Sequence, residues 1–328
     1  MSLTLSAASL AVTLVLVELV LRWGILPDSF QPQTTELVTA GESRLFRPDF
    51  RKPRREPGPK EDQFRIVVVG DSFAWGDGVH AEDAFPDRLE IRLNAVSRGD
   101  RFEVVNWSRP GWNTVRQYRS LKDRLDWLDP DLLILSVVLN DAEPTEPEEL
   151  EELRTGIVTR EPGPGLSASL YGHSRLYQWA WDRLENTRRR RELTAYYHSL
   201  FHGEHWQAFG RAVRSLHKAT RSRSIPMILV VFPIFDCQLD DSYPYLELHA
   251  KAGEVGESLD VPVLDLTEEY QAVDARRLAV IPFTNAHPNE LAHRMAADAI
   301  VDYLARGRLV PPLDYVPRHR RRDPRLEP

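Results

Sequence analysis

Ile66-Val-Val-Val-Gly-Asp-Ser72-Phe-Ala-Trp-Gly-Asp-Gly-Val79 decides how the chain is read. Four β-branched residues run into Gly-Asp-Ser. A short, continuous apolar run bounded by turn residues is the pattern of a strand covered on both faces, as in a parallel sheet. In an open parallel sheet, ligands bind outside the carboxyl ends of the strands. Ser72 stands at such an end. A serine hydroxyl is a weak nucleophile without a neighbouring base, and Gly-Asp-Ser alone is equally a turn or a helix cap.

Working outward, similar runs recur. With the first strand taken as residues 65–69, they cover 103–106, 132–139, 227–232 and 261–266. Amphipathic stretches lie between them at 85–96, 114–125 and 206–223, and Thr114 with Gln117 has capping-box spacing. Strands alternating with helices predict an α/β fold, a doubly wound, flavodoxin-like, three-layer parallel sheet. Residues 142–203 break the rhythm with an acidic run, a Pro- and Gly-rich stretch and an aromatic helical stretch ending in Arg188–Arg191. They are expected to form a helical insertion over one end of the sheet.

The flanks read differently. Residues 3–21 are almost all apolar, long enough to span a bilayer, with Glu18 expected to pair with Arg22 at i,i+4. Residues 1–26 are therefore expected to be a transmembrane anchor, which makes the membrane a partner; a cleaved signal peptide is the rival reading. Residues 27–63 read as a polar linker, 64–310 as the catalytic domain and 311–328 as a disordered basic tail. The 328 residues carry a net charge of −7, which argues against general nucleic-acid binding. One cysteine, Cys237, excludes an internal disulfide and a Cys-rich zinc site.

Three further blocks follow the strands. Asn106-Trp-Ser-Arg-Pro-Gly111-Trp-Asn-Thr114 places a glycine where backbone can approach a ligand closely. Leu139-Asn140-Asp141 places an amide where it can donate to a developing oxyanion, or close an Asx turn. His287-Pro-Asn-Glu-Leu-Ala-His293 opens the last helix. His287 precedes proline and is expected outside that helix, on a loop. His293 falls inside it, as a packing residue, and the spacing of the two histidines does not suit a metal site. No metal or cofactor is expected.

In this order the blocks resemble the SGNH/GDSL hydrolase family, in a membrane-anchored bacterial branch, over about residues 64–304. The resemblance implies the SGNH type of three-layer fold and a serine esterase acting on acyl esters, O-acetyl esters of glycans among them. Ser72 would be the nucleophile and His287 its base. The N–H groups of Ser72 and Gly111 and the amide of Asn140 would form the oxyanion hole. It also implies an extracytoplasmic domain, against the basic residues 44–55 that follow the apolar segment. An O-acyltransferase modifying a cell-surface glycan, and an inactive SGNH-fold binding module, are the alternatives. One departure bears on the choice: the family's Asp three residues before the His is Thr284 here, and Asn285 stands two before. Asp71, Thr284 and Asn285 are the candidate orienting residues near the pair. A backbone carbonyl can orient His287, a remote carboxylate such as Asp265 or Asp274 can substitute, or the protein is catalytically weak or dead.

Overall fold

The computed structural model describes residues 2–23, 57–99, 101–157, 160–281 and 285–314. Five parallel strands form the main sheet: β1 (Gln63–Val69), β2 (Arg101–Asn106), β3 (Leu132–Val137), β4 (Met227–Val231) and β5 (Val263–Asp265), in the order β2-β1-β3-β4-β5. Each neighbouring pair is parallel. This is the doubly wound order whose topological switch point lies between β1 and β3, where ligands are expected beyond the strand ends. Ser72 leaves the sheet at that point.

The strands form because their side chains have no polar face to offer. All six residues of β3 and all five of β4 are buried, as are Ile66 to Val69 of β1. Burying each such aliphatic side chain contributes about 1.5–3 kcal/mol. Arg65 is the exception, fully buried in an apolar strand. Its guanidinium donates to Glu103 at 2.6 Å, to the Leu128 carbonyl at 2.8 Å and to the Gly58 carbonyl at 2.8 Å. A buried charge is tolerated when it is paired and hydrogen-bonded in this way.

The helices are α1 (Ser2–Arg22), α2 (Ser72–Trp75), α3 (Phe85–Val96), α4 (Thr114–Leu121), α5 (Leu125–Leu128), α6 (Pro147–Arg154), α7 (Leu166–His173), α8 (Arg175–Leu200), α9 (Gly203–Arg221), α10 (Leu246–Glu257), α11 (Thr267–Tyr270) and α12 (Glu290–Arg306). The expected helix 114–125 is broken in two, with α4 ending four residues early and α5 starting at Leu125. The expected capping box does not form. Asn113 is the N-cap of α4 and accepts from the Arg116 N–H at 2.9 Å, which frees Thr114 and Gln117 for a different partner described below.

A second, antiparallel sheet pairs β6 (Ala279–Ile281) with β7 (Asn285–Pro288). His287 therefore sits on a strand of a hairpin, and the expected loop is corrected accordingly. The hairpin approaches the turn after α2. Gly78, at φ +95°, faces Val280, and a Cβ there would lie 2.8 Å from that side chain. Only glycine allows both this backbone conformation and this close approach.

The chain divides into two compact units, residues 1–43 with 151–196, and residues 44–150 with 197–328. The second holds both sheets. In the first, Glu18 pairs with Arg22 at 2.7 Å. Its carboxylate also accepts from the Ser174 hydroxyl at 2.9 Å and from the backbone N–H groups of Arg175 and Leu176 at 2.9 and 2.8 Å. It thus satisfies donors that the first turn of α8 leaves without intrahelical partners. Among the described residues no helix is long and apolar enough to cross a membrane, so the expected transmembrane anchor is not supported. Most of the expected linker, and residues 315–328 of the expected tail, lie outside the described residues. Of the tail's first residues, Leu313 bridges to Ser97 and the Asp314 N–H donates to the Val96 carbonyl at 2.7 Å.

Candidate active site

Ser72 opens α2 directly after β1. Asp71, fully buried, caps that short helix by accepting from the Phe73 N–H at 2.9 Å. Gly76 ends it in the left-handed conformation, φ +83°. The strand–cap–turn unit leaves the Ser72 side chain largely buried, at 8% exposure, and holds its hydroxyl at the sheet's carboxyl edge. As the first residue of a helix, Ser72 also presents a backbone N–H without an intrahelical acceptor.

His287 reaches Ser72 from 215 residues further along the chain. Its Nε2 lies 2.9 Å from the Ser72 Oγ, within the range in which an imidazole accepts a hydroxyl proton. The Phe73 ring packs against the imidazole, centroids 5.2 Å apart. On the far side of the ring, Nδ1 lies 2.5 Å from the Asn285 Oδ1, and the same oxygen is 3.1 Å from the backbone N of His287. Thr284 lies outside the described residues. The two remote carboxylates are engaged elsewhere. Asp265 binds the Nδ1 of His249 at 3.0 Å and the hydroxyl of Thr267 at 2.7 Å. Asp274 binds Arg276 and Gln238.

Asn140 follows β3 in the turn Leu139–Ala142. Its Nδ2 donates to the Asp71 Oδ2 at 2.9 Å. An amide nitrogen carries two hydrogens, so one remains. The turn is held by Asp141, whose carboxylate accepts from the Val138 N–H at 2.7 Å, the Thr114 hydroxyl at 2.9 Å and the Gln117 amide at 2.6 Å. Burial pushes the Asp71 carboxyl up from its ordinary value, with the Asn140 and Phe73 hydrogen bonds acting against it. Burial pushes Asp141 well up, and the neighbouring Asp71 charge adds to that. Gly111 lies in the exposed turn after β2, at φ +74°. A Cβ there would meet nothing within 4 Å, so its requirement is conformational rather than steric.

His293 is fully buried in α12. Its Nδ1 accepts from the Phe85 N–H at 3.2 Å, at the start of α3, and its ring stacks on Phe85. Burial pushes its pKa down to about 3, with smaller contributions from Arg88 and His287. Phe85 and Phe73 both pack on Phe232, at 5.2 and 6.2 Å between centroids. Of these aromatics, Phe73 is the one that meets the imidazole of His287. The sequence reading missed the role of Phe73, whose one signal was its place directly after the serine. It also missed the pairing of Thr114 and Gln117 with Asp141.

A family model described as GDSL-like Lipase/Acylhydrolase family matches residues 68–295. Comparison with curated proteins returns no match. Among solved structures, the chain is similar to TesA at 15% identity, covering 75% of this chain and 99% of that one, with a TM-score of 0.45. It is similar to the psychrotrophic esterase EstA from Pseudoalteromonas sp. at 13% identity, covering 73% and 96%, TM-score 0.41. It is also similar to an acetylxylan esterase from Geobacillus stearothermophilus at 14% identity, covering 72% and 92%, TM-score 0.45.

Proposed function

Since the chain belongs to the GDSL-like lipase/acylhydrolase family and is an ester-hydrolysing enzyme of that family, we propose that Ser72 is its nucleophile and His287 its general base. The proposed substrates are acyl esters, O-acetyl esters included. The observation that carries this reading is the 2.9 Å approach of the His287 Nε2 to the Ser72 Oγ at the switch point of the sheet.

The chemistry follows from the positions. The Ser72 Oγ attacks the acyl carbon as its proton passes to Nε2 of His287. The carbonyl oxygen becomes an oxyanion, received by the N–H groups of Ser72 and Gly111 and the second N–H of Asn140. The carbon–oxygen bond to the alcohol breaks, and Nε2 returns its proton to the departing oxygen. Water then attacks the acyl-serine by the reverse route, with His287 taking the water proton and returning it to Ser72. Donors fixed before the charge develops are the largest single contribution in such sites. An assembled hydroxyl–imidazole pair favours this reading over a non-catalytic binding module.

The test is turnover of p-nitrophenyl acetate together with labelling by a fluorophosphonate. The wild-type protein is expected to turn over and to be labelled at Ser72. Ser72→Ala is expected to lose labelling and to lose activity about 1,000-fold or more. Equal hydrolysis by wild type and Ser72→Ala would sink the assignment.

A further inference from the structure

We propose that Asn285 is a positioning residue for this reaction: its amide oxygen fixes the His287 tautomer that can receive the serine proton. This rests on the esterase reading above and names the residue that stands in the place of the family's aspartate.

The assignment follows from one oxygen meeting two nitrogens of the same residue. The backbone N–H of His287 can only donate. The Asn285 atom that it meets at 3.1 Å is therefore the oxygen and not the NH2. That fixes the orientation of the amide on chemical grounds. The same oxygen lies 2.5 Å from Nδ1, so Nδ1 must carry the proton. A neutral imidazole has one N–H. Nε2 is then bare, with its lone pair towards the Ser72 Oγ at 2.9 Å. The opposite tautomer would set an N–H against the serine, and nothing would be left to accept its proton.

Asn285 can do this because of its strand. It begins β7, and the Asx-type turn to the backbone of His287 spends no further residue on holding the side chain. The arrangement differs from a carboxylate in one respect. An amide dipole orients the ring but carries no charge to stabilise the imidazolium that forms in the transition state. Asn285 therefore supplies the positioning half of the aspartate's role and omits the electrostatic half.

Among the described residues, Asp71 at the end of β1 and His293 in α12 are close enough to interact electrostatically with His287. Both are kept in every variant at 285.

The experiment combines nitrogen NMR with kinetics on the full chain. The protein is labelled with 15N-histidine, and His287→Gln assigns the signals by subtraction. The wild-type ring is expected to show a protonated Nδ1 and a bare Nε2. In Asn285→Ala this pattern is expected to be lost, and kcat to fall about 100-fold with KM nearly unchanged. Asn285→Asp is expected to keep the nitrogen pattern, to hold kcat at or above the wild-type value, and to move the acidic limb of the kcat/KM profile to higher pH by about one unit. An Asn285→Ala protein with wild-type nitrogen shifts and wild-type kcat would overturn the proposal. Asn285→Asp serves where the alanine variant does not fold: loss of the tautomer in the aspartate variant would overturn it as well. A wild-type protein with the expected nitrogen pattern but neither turnover nor fluorophosphonate labelling would overturn the esterase reading while upholding the tautomer assignment.

Discussion

The Asn140 amide has two hydrogens, and the Asp71 carboxylate takes one of them. That bond decides which way the amide faces, because a carboxylate cannot be met by the amide oxygen. Asp71 is thus a support for Asn140 and the cap of α2, rather than a member of the reacting pair; its contact with the Ser72 hydroxyl is long, 3.4 Å. In the proposed oxyanion hole, Asn140→Ala removes one donor. It is expected to lower kcat about 100- to 1,000-fold with little change in KM, as measured by steady-state hydrolysis of p-nitrophenyl acetate. A change confined to KM would count against the donor role. Ser72, Asn140 and His287, which the fold brings to one sheet edge, could be picked out because each ends or follows an element with a recognisable pattern; Gly111 was picked out in the same way, from its place after β2. Thr114 and Gln117 were not. Their spacing reads as a helix cap, and only the fold reveals that Asp141, in the turn after β3, takes both side chains.

Among the elements, the hairpin of β6 and β7 was the least readable. β6 is an apolar run of only three residues, and β7 is four residues with two polar side chains and a proline, so neither alternation nor an apolar run of useful length marks them. The five parallel strands were readable because burial on both faces makes them continuous apolar runs. Their ends were less so: Val138 and Leu139 look like strand but belong to the Asn140 turn. Behind the hairpin, α12 meets α3 through His293 and the Phe85 N–H. This contact has a pH dependence with a definite sign. The folded pKa is about 3 and the ordinary value 6.5. Between the two, the unfolded chain binds a proton that the folded one refuses, so stability is present above about 6.5 and declines as pH falls towards 3. The slope from this residue approaches about 1.4 kcal/mol per pH unit. His293→Phe lacks the acceptor and is expected to be less stable near neutrality, but to show a flatter decline between pH 6.5 and 4 in urea unfolding. Parallel curves for the two proteins would remove His293 as the cause.

At the scale of the whole molecule, the sheet unit holds the proposed Ser72–His287 pair, and the other unit joins the chain's first helix to the helices of residues 151–196. One carboxylate makes that join visible. Glu18 caps α8 across more than 150 residues of sequence, where the sequence offered only its pairing with Arg22. Glu18→Ala is expected to cost this unit about 1 kcal/mol, the usual worth of a helix cap. Hydrogen exchange at the Arg175 and Leu176 amides is expected to quicken about fivefold, and unchanged rates there would refute the capping role. The distance along the chain between the paired hydroxyl and imidazole has a further consequence. Ser72 leaves the ribosome early, while the strand bearing His287 follows 215 residues later. On the proposed pairing, a nascent or truncated copy that ends before the hairpin holds a serine without its base. On that reading hydrolytic power arrives only once the β6–β7 hairpin has been made and has folded against the serine.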